Sequence, residues 1–165
     1  MQFSSDVYTI RQLKENEWST YKQMRLEALQ IEPSMFRTSI PEEATLTDTE
    51  WKERIKHPRA VFVLLEKNTP IGMTSILLLK DEEAYLGQSY IQKEYRGIGL
   101  SALLFKARMK WARDLHLKKL SISHRESNII SKAANQRLGF KYTHRETIDW
   151  LDGTREDVLY YALDL

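Results

Sequence analysis

The sequence predicts one α/β domain of the α+β type, a mixed, largely antiparallel sheet of about seven strands with helices on both faces. Three observations predict it. Apolar, β-rich runs at Val61–Glu66, Ile71–Lys80 and Ala84–Gln92 are separated by the polar turns Lys67-Asn68-Thr69-Pro70 and Asp81-Glu82-Glu83, the pattern of an antiparallel meander. A glycine-containing loop then leads into a helix over Gly99–Leu115. Its Leu100, Leu103, Leu104, Ala107, Trp111 and Leu115 recur at helical spacing, and Lys106, Arg108, Lys110 and Arg113 fall on the other faces. Finally, Phe140–Trp150 and Glu156–Leu163 flank Asp152-Gly153, a common hairpin turn.

The remaining elements follow in order. Tyr8–Leu13 reads as a first strand, after which Asn16 or Ser19 can cap a helix through Gln30, with Trp18, Tyr21, Met24, Leu26, Ala28 and Leu29 as its apolar surface. Pro33 ends that helix, and Ser34–Ala44 is an irregular loop. Thr47 or Asp48 can cap a short helix, Trp51–Lys56, which His57-Pro58 terminates. Gly87 interrupts the third meander strand, and a glycine inside a strand marks a bulge, a close backbone approach or a tolerated gap. After the long helix, Leu120–Ser123 is a short strand; Ser127 or Asn128 caps a helix over Ile129–Leu138, and Gly139 ends it. This strand–helix–strand–helix series is the one parallel-type unit in the pattern. No repeat, linker or low-complexity tract divides residues 1–165, so a single domain is expected.

With 42% hydrophobic and 29% charged residues the composition is that of a soluble globular protein. There is no run of 18 apolar residues, and the opening Met-Gln-Phe-Ser-Ser-Asp-Val has neither a basic nor an apolar leader segment, so a cytoplasmic protein with no membrane partner is expected. The absence of cysteine excludes disulfides, zinc–thiolate sites and a cysteine nucleophile, and the four histidines show no metal-ligand spacing, so no metal is expected. The net charge of +2 is unevenly spread, at −3 over residues 1–91, +10 over 92–145 and −5 over 146–165. A basic block suits an anionic ligand, and acidic flanks suit a cationic one.

The basic block opens on Tyr90-Ile-Gln-Lys-Glu-Tyr-Arg-Gly-Ile-Gly-Leu-Ser, a strand end, a glycine loop and a helix start. Unpaired N–H groups and the helix dipole make such a start a phosphate site, and Gly97 and Gly99 clear side chains from it, with Arg96 as a cation at the mouth. A Walker A loop is excluded because no G-x-x-x-x-G-K-[ST] occurs. Gly97-Ile-Gly99-Leu-Ser-Ala102 does fit the dinucleotide fingerprint, but the alternating parallel strands and helices that motif should open do not follow.

Arg96-Gly-Ile-Gly-Leu-Ser101 resembles the R/Q-x-x-G-x-[GA] acyl-coenzyme A loop of the Gcn5-related N-acetyltransferase (GNAT) family. Asn128, Ser131, Ala134, Asn135 and Leu138-Gly139-Phe140 are similar to that family's N-x-x-A-x-x-L-Y-x-x-L-G-F helix, and Arg25-Leu-Glu-Ala-Leu29 with Pro33 and Phe36 resembles its first helix and loop. The departures are at Ser131 and at Asn135, where many members carry a tyrosine beside the thiol sulfur.

The resemblance implies an N-acetyltransferase that moves an acetyl group from acetyl-CoA to a primary amine, of a small molecule or a peptide, by direct attack in a ternary complex. It implies coenzyme contacts from Ile91, Gln92, Arg96, Gly97, Ile98, Gly99, Leu100, Ser101, Asn128 and Asn135, with the Ile91 N–H facing the thioester oxygen. It places Glu27, Phe36, Glu42, Glu43 and Gln88 on the acceptor side. Asn135 can donate a hydrogen bond to the departing thiolate but cannot release a proton, and Tyr142 is a candidate replacement acid. His124, at a strand end, is a candidate base or a capping residue. Two readings from other classes stand beside this one: a non-catalytic acyl-CoA sensor, in which Asn135 marks lost catalysis, and a nucleic-acid-binding protein using the basic block. Against the latter, Tyr90, Tyr95, Trp111 and Tyr142 fall at core or strand spacing, so no nucleic-acid partner is expected. Homodimerisation is left open.

Overall fold

A computed structural model describes residues 2–4 and 7–165. Eight strands form one sheet in the order β1 (Gln2–Ser4), β2 (Tyr8–Gln12), β3 (Arg59–Glu66), β4 (Thr69–Leu78), β5 (Glu83–Ile91), β6 (Lys119–Arg125), β8 (Arg155–Asp164), β7 (Lys141–Asp149). The seven expected strands are all there, and β1 is an additional three-residue edge strand. All neighbours pair antiparallel except β5 and β6.

Four helices cover the sheet, α1 (Trp18–Ile31), α2 (Asp48–Arg54), α3 (Ser101–Asp114) and α4 (Ile129–Arg137). Side chains alternate across β3, so Ala60, Phe62 and Leu64 pack with Leu104, Ala107 and Ala112 of α3, while Val61, Val63 and Leu65 pack with Tyr21, Met24 and Ala28 of α1 and Trp51 of α2. A strand buried on both faces reads as a continuous apolar run, as β3 does.

Caps explain several boundaries. Thr47 accepts from the Glu50 N–H at 3.2 Å while Glu50 returns a bond to the Thr47 N–H at 3.1 Å. Such a capping box contributes about 1 kcal/mol, and it starts α2 three residues before the expected Trp51. Neither Asn16 nor Ser19 caps α1; a 3₁₀ turn over Glu15–Glu17, held by Arg11 on Glu17, leads into it instead. Asn128 caps α4 through Oδ1, which accepts from the Ser131 N–H at 3.1 Å. The outer strand β7 is exposed from Lys141 to Thr147, and its charges discourage pairing with another sheet edge.

Two features of the meander position the site. On β5 the register shifts between Met73↔Tyr90 and Ser75↔Gly87, so this strand does bulge. The left-handed residue is Gln88, at φ +56°, and not the adjacent Gly87. Its side chain accepts a bond from the Tyr21 hydroxyl at 3.0 Å, which ties the bulge to α1. Second, β5 and β6 pair only over Glu83↔Lys119, Ala84↔Leu120 and Tyr85↔Ser121, and beyond Tyr85 they part. The sheet is therefore open between the second half of β5 and the second half of β6.

Candidate active site

The opening has a backbone wall. Gln92 N–H donates to the Ile71 carbonyl at 2.9 Å, so its neighbour Ile91, paired with Gly72, turns its own N–H and C=O away from β4 and toward the opening. The Ile91 carbonyl accepts from Arg96 Nε at 2.7 Å, which leaves its N–H as the group directed into the gap.

The chain then runs through a short turn, Lys93–Tyr95, to Gly97 and Gly99 at φ +79° and +87°. A Cβ at either position would meet nothing within 4 Å, so glycine is favoured here by backbone conformation and not by crowding within the protein. Leu100 is buried and anchors the start of α3, whereas Ile98 and Ser101 are exposed. The Ala102 and Leu103 N–H groups close the first turn of α3 onto the Gly99 and Leu100 carbonyls at 3.2 and 3.0 Å, so the amides left for an anion at the end of the β5 wall are those before them, over an open cradle of Gly97, Ile98, Gly99, Leu100 and Ser101.

Arg96 is a partly exposed cation at the mouth, held in place: it pairs with Glu32 at 2.8 Å while donating to the Ile91 carbonyl, and its guanidinium lies 5.9 Å from the Tyr90 ring centre. On α4, Asn135 is buried at 5% exposure, and its Nδ2 has no hydrogen-bond partner among the described residues. A buried amide group left unpaired is unfavourable by about 1–3 kcal/mol, so it marks a place where a ligand acceptor would fit. The glycine cradle, the inward Ile91 N–H and the orphan Asn135 amide fit a phosphate-bearing ligand with an amide-containing arm. Asn128 spends Oδ1 on its cap.

On the α1/α2 face the candidates separate. Glu27 accepts from Gln92 Nε2 at 3.1 Å and sits beside Tyr90, whose hydroxyl is pushed up by burial and by Glu27. Glu42 is exposed. Glu43 is not available to a ligand: buried at 6% exposure, it holds Arg25 with both carboxylate oxygens at 3.0 Å, and Arg54 at 2.8 Å. Burial alone would raise Glu43, but the two arginines hold it below its ordinary value. Phe36 is partly buried, 4.7 Å beneath the Arg25 guanidinium.

His124 is buried within β6, with Nδ1 2.6 Å from the Arg125 carbonyl and Nε2 2.9 Å from the Tyr161 hydroxyl. A carbonyl only accepts, so Nδ1 donates to it, and Nε2 shares a hydrogen bond with the Tyr161 hydroxyl; both nitrogens are engaged inside the core. Tyr142 is 52% exposed on the outer strand, its ring edge-on to Tyr161.

One cluster was not expected. Arg37 donates to Tyr160 at 3.0 Å and Ser123 at 3.4 Å, Ser123 also bonds the Tyr85 hydroxyl, and Tyr160 donates to Glu146 at 2.6 Å. Tyr85, Ser123 and Tyr160 share one face across β5, β6 and β8, beside the opening. No local motif announces them; period-2 alternation plus the sheet order would have been needed. No cluster of three or more histidine, aspartate and glutamate side chains able to hold a metal occurs among the described residues, and none of their helices is long and apolar enough to cross a membrane.

The model of the acetyltransferase (GNAT) family matches residues 18–140. Solved structures with the same fold include a ribosomal L7/L12 alpha-N-protein acetyltransferase in complex with coenzyme A, at 18% identity and TM-score 0.77 over 100% of this chain and 98% of the other. A ribosomal-protein-S5-alanine acetyltransferase from Vibrio fischeri aligns at 19% identity and TM-score 0.79, covering 99% and 96%. The Salmonella typhimurium protein yncA, determined with its cofactor acetyl-CoA, aligns at 16% identity and TM-score 0.78, covering 97% and 95%. No curated protein sequence matches.

Proposed function

The chain belongs to the acetyltransferase (GNAT) family, and on that premise we propose that it transfers an acetyl group from acetyl-CoA to a primary amine by direct attack, without an acyl-enzyme. The observation that carries this reading is the Ile91 N–H, directed into the gap between β5 and β6 and continuous with the glycine cradle at α3.

Acetyl-CoA supplies the activated acyl group. The amides of Gly97–Ser101 hold its pyrophosphate, the open edge of β5 aligns the pantetheine arm as an added strand would, and the Ile91 N–H bonds the acyl oxygen as negative charge grows there. An amine nitrogen forms the new C–N bond while the C–S bond breaks; the electron pair leaves with sulfur, and the amine gives its proton to solvent. The Asn135 amide donates to the departing thiolate, which suffices because free thiols titrate near pH 8.5. Holding and orienting supply most of the acceleration.

The acceptor enters from the α1/α2 face, where Glu27 and the exposed Glu42 favour a cation and Phe36 and Gln88 line the approach. Two structural neighbours are named for acetylating ribosomal proteins, so a peptide amine belongs among the acceptors to be tried. The test is coenzyme A release from acetyl-CoA across a panel of polyamines, aminoglycosides, amino acids and peptide N-termini, beside thermal unfolding with acetyl-CoA alone. A ligand at 100 times its Kd stabilises by about 2.7 kcal/mol. An unchanged melting temperature at saturating acetyl-CoA would refute the coenzyme assignment; binding without turnover of any amine would favour a sensor.

A further inference from the structure

Arg108 lies on the sheet-facing side of α3 at 5% exposure, although its charge would suit an outer face. Its contacts are two backbone carbonyls, Nε to Leu104 at 3.3 Å and Nη1 to Ser75 at 3.4 Å. Both are long for N–H···O bonds. Among the described residues no carboxylate pairs with it, and burial alone pushes the guanidinium down to about 10. An uncompensated buried cation is unfavourable unless something offsets it, and a structural arginine in this position would be expected to hold shorter bonds or an acid.

Its location is informative. Ser75 is paired with Gly87, two residues past the last β5–β6 pair, Tyr85↔Ser121. The guanidinium thus sits at the level where the sheet opens, next to the β5 bulge. Because it reaches this point from α3, it comes from the side whose first turn forms the glycine cradle. Little solvent screens a charge in such a place.

We propose that Arg108 is kept without an acid partner so that its positive potential reaches the acyl end of the coenzyme arm, where negative charge grows on oxygen and sulfur as the C–S bond breaks. This rests on the acetyl-transfer reading above. Arg108 therefore differs from the orienting groups in acting through its field.

The test uses the full chain as Arg108→Met, which keeps volume and removes charge, and as Arg108→Lys, which keeps charge. Calorimetry compares acetyl-CoA with S-carboxymethyl-CoA, which carries a permanent carboxylate at the acyl position. Arg108→Met is expected to bind acetyl-CoA as wild type does but S-carboxymethyl-CoA about tenfold more weakly. Its kcat is expected to fall about a hundredfold, with the apo melting temperature unchanged or higher. Arg108→Lys is expected to restore part of the preference for the anionic analogue. An unchanged affinity ratio in Arg108→Met overturns the proposal, as does a variant that melts lower or fails to fold, since Arg108 would then be a brace for the bulge. Failure of the wild type to bind acetyl-CoA would sink the acetyl-transfer reading first, and this inference with it.

Discussion

Arg25 and Arg108 are buried to nearly the same degree, 7% and 5% exposed, one on each side of the sheet. Arg25, on α1, lies in a closed set with Glu43 and Arg54, above the Phe36 ring. Arg108, on α3, donates to two backbone carbonyls at 3.3 and 3.4 Å, and among the described residues no acid pairs with it. The contrast teaches that a buried charge says little by itself and that its partners decide its use. On the α1/α2 face charge is consumed in joining α1, the following loop and α2. Single N–H groups go unpaired on both faces, Arg25 Nη1 and Trp51 Nε1 on one and Asn135 Nδ2 on the other, but only on the α3/α4 face is a buried cation left without an acid among the described residues.

Breaking the closed set should have the largest effect. Glu43→Ala strands two cations, one of them buried, and should lower stability by about 3–5 kcal/mol in chemical denaturation; a loss under about 1 kcal/mol would show the set to be ornamental. Because Glu43 is held below its ordinary value of 4.5, its contribution is fully present above that pH and is lost as pH falls through the folded value. Glu43→Gln should therefore weaken the dependence of stability on pH below about 4.5.

On the other face the effects should fall on binding and turnover. Gly99→Val forces a branched side chain to φ +87° and fills the cradle. It should cost about 1–2 kcal/mol of stability and weaken acetyl-CoA binding more than tenfold by calorimetry. Asn135→Ala removes an amide whose Nδ2 has no partner among the described residues, so stability should change little while kcat falls about tenfold, near 1.4 kcal/mol. A thousandfold loss would instead make Asn135 an organiser of the arm. Glu42→Gln should have the smallest effect, a rise of a fewfold in KM for a cationic amine that disappears at high salt.

The backbone geometry of the glycine loop and of α4 was legible because it is local. Paired glycines before an amphipathic helix, Asn128 three residues before Ser131 and Gly139 after α4 each declare a backbone geometry within a few positions. What was not legible depends on distant partners. Glu43 looks like any loop acid until Arg25 and Arg54 close on it, and nothing local to Arg96 names Glu32, at the end of α1, as the acid that holds it. Arg108 sits four residues from Leu104 and from Ala112, in register with the buried stripe, yet polarity alone assigns it outward. The bulge was visible at Gly87, but the strained residue is Gln88, because strand register rather than residue preference sets which position turns.

In the proposed acetyl transfer the Ile91 edge and the glycine loop form one continuous coenzyme site. Backbone amide shifts of isotopically labelled protein titrated with acetyl-CoA test it most directly. Large, saturable shifts are expected at Ile91 and across Gly97–Ser101, with Asn135 Nδ2 moving on the same isotherm. Shifts confined instead to the apolar groove between Phe105, Met109, Leu138 and Leu163, or no shifts at Ile91 while the loop saturates, would contradict it.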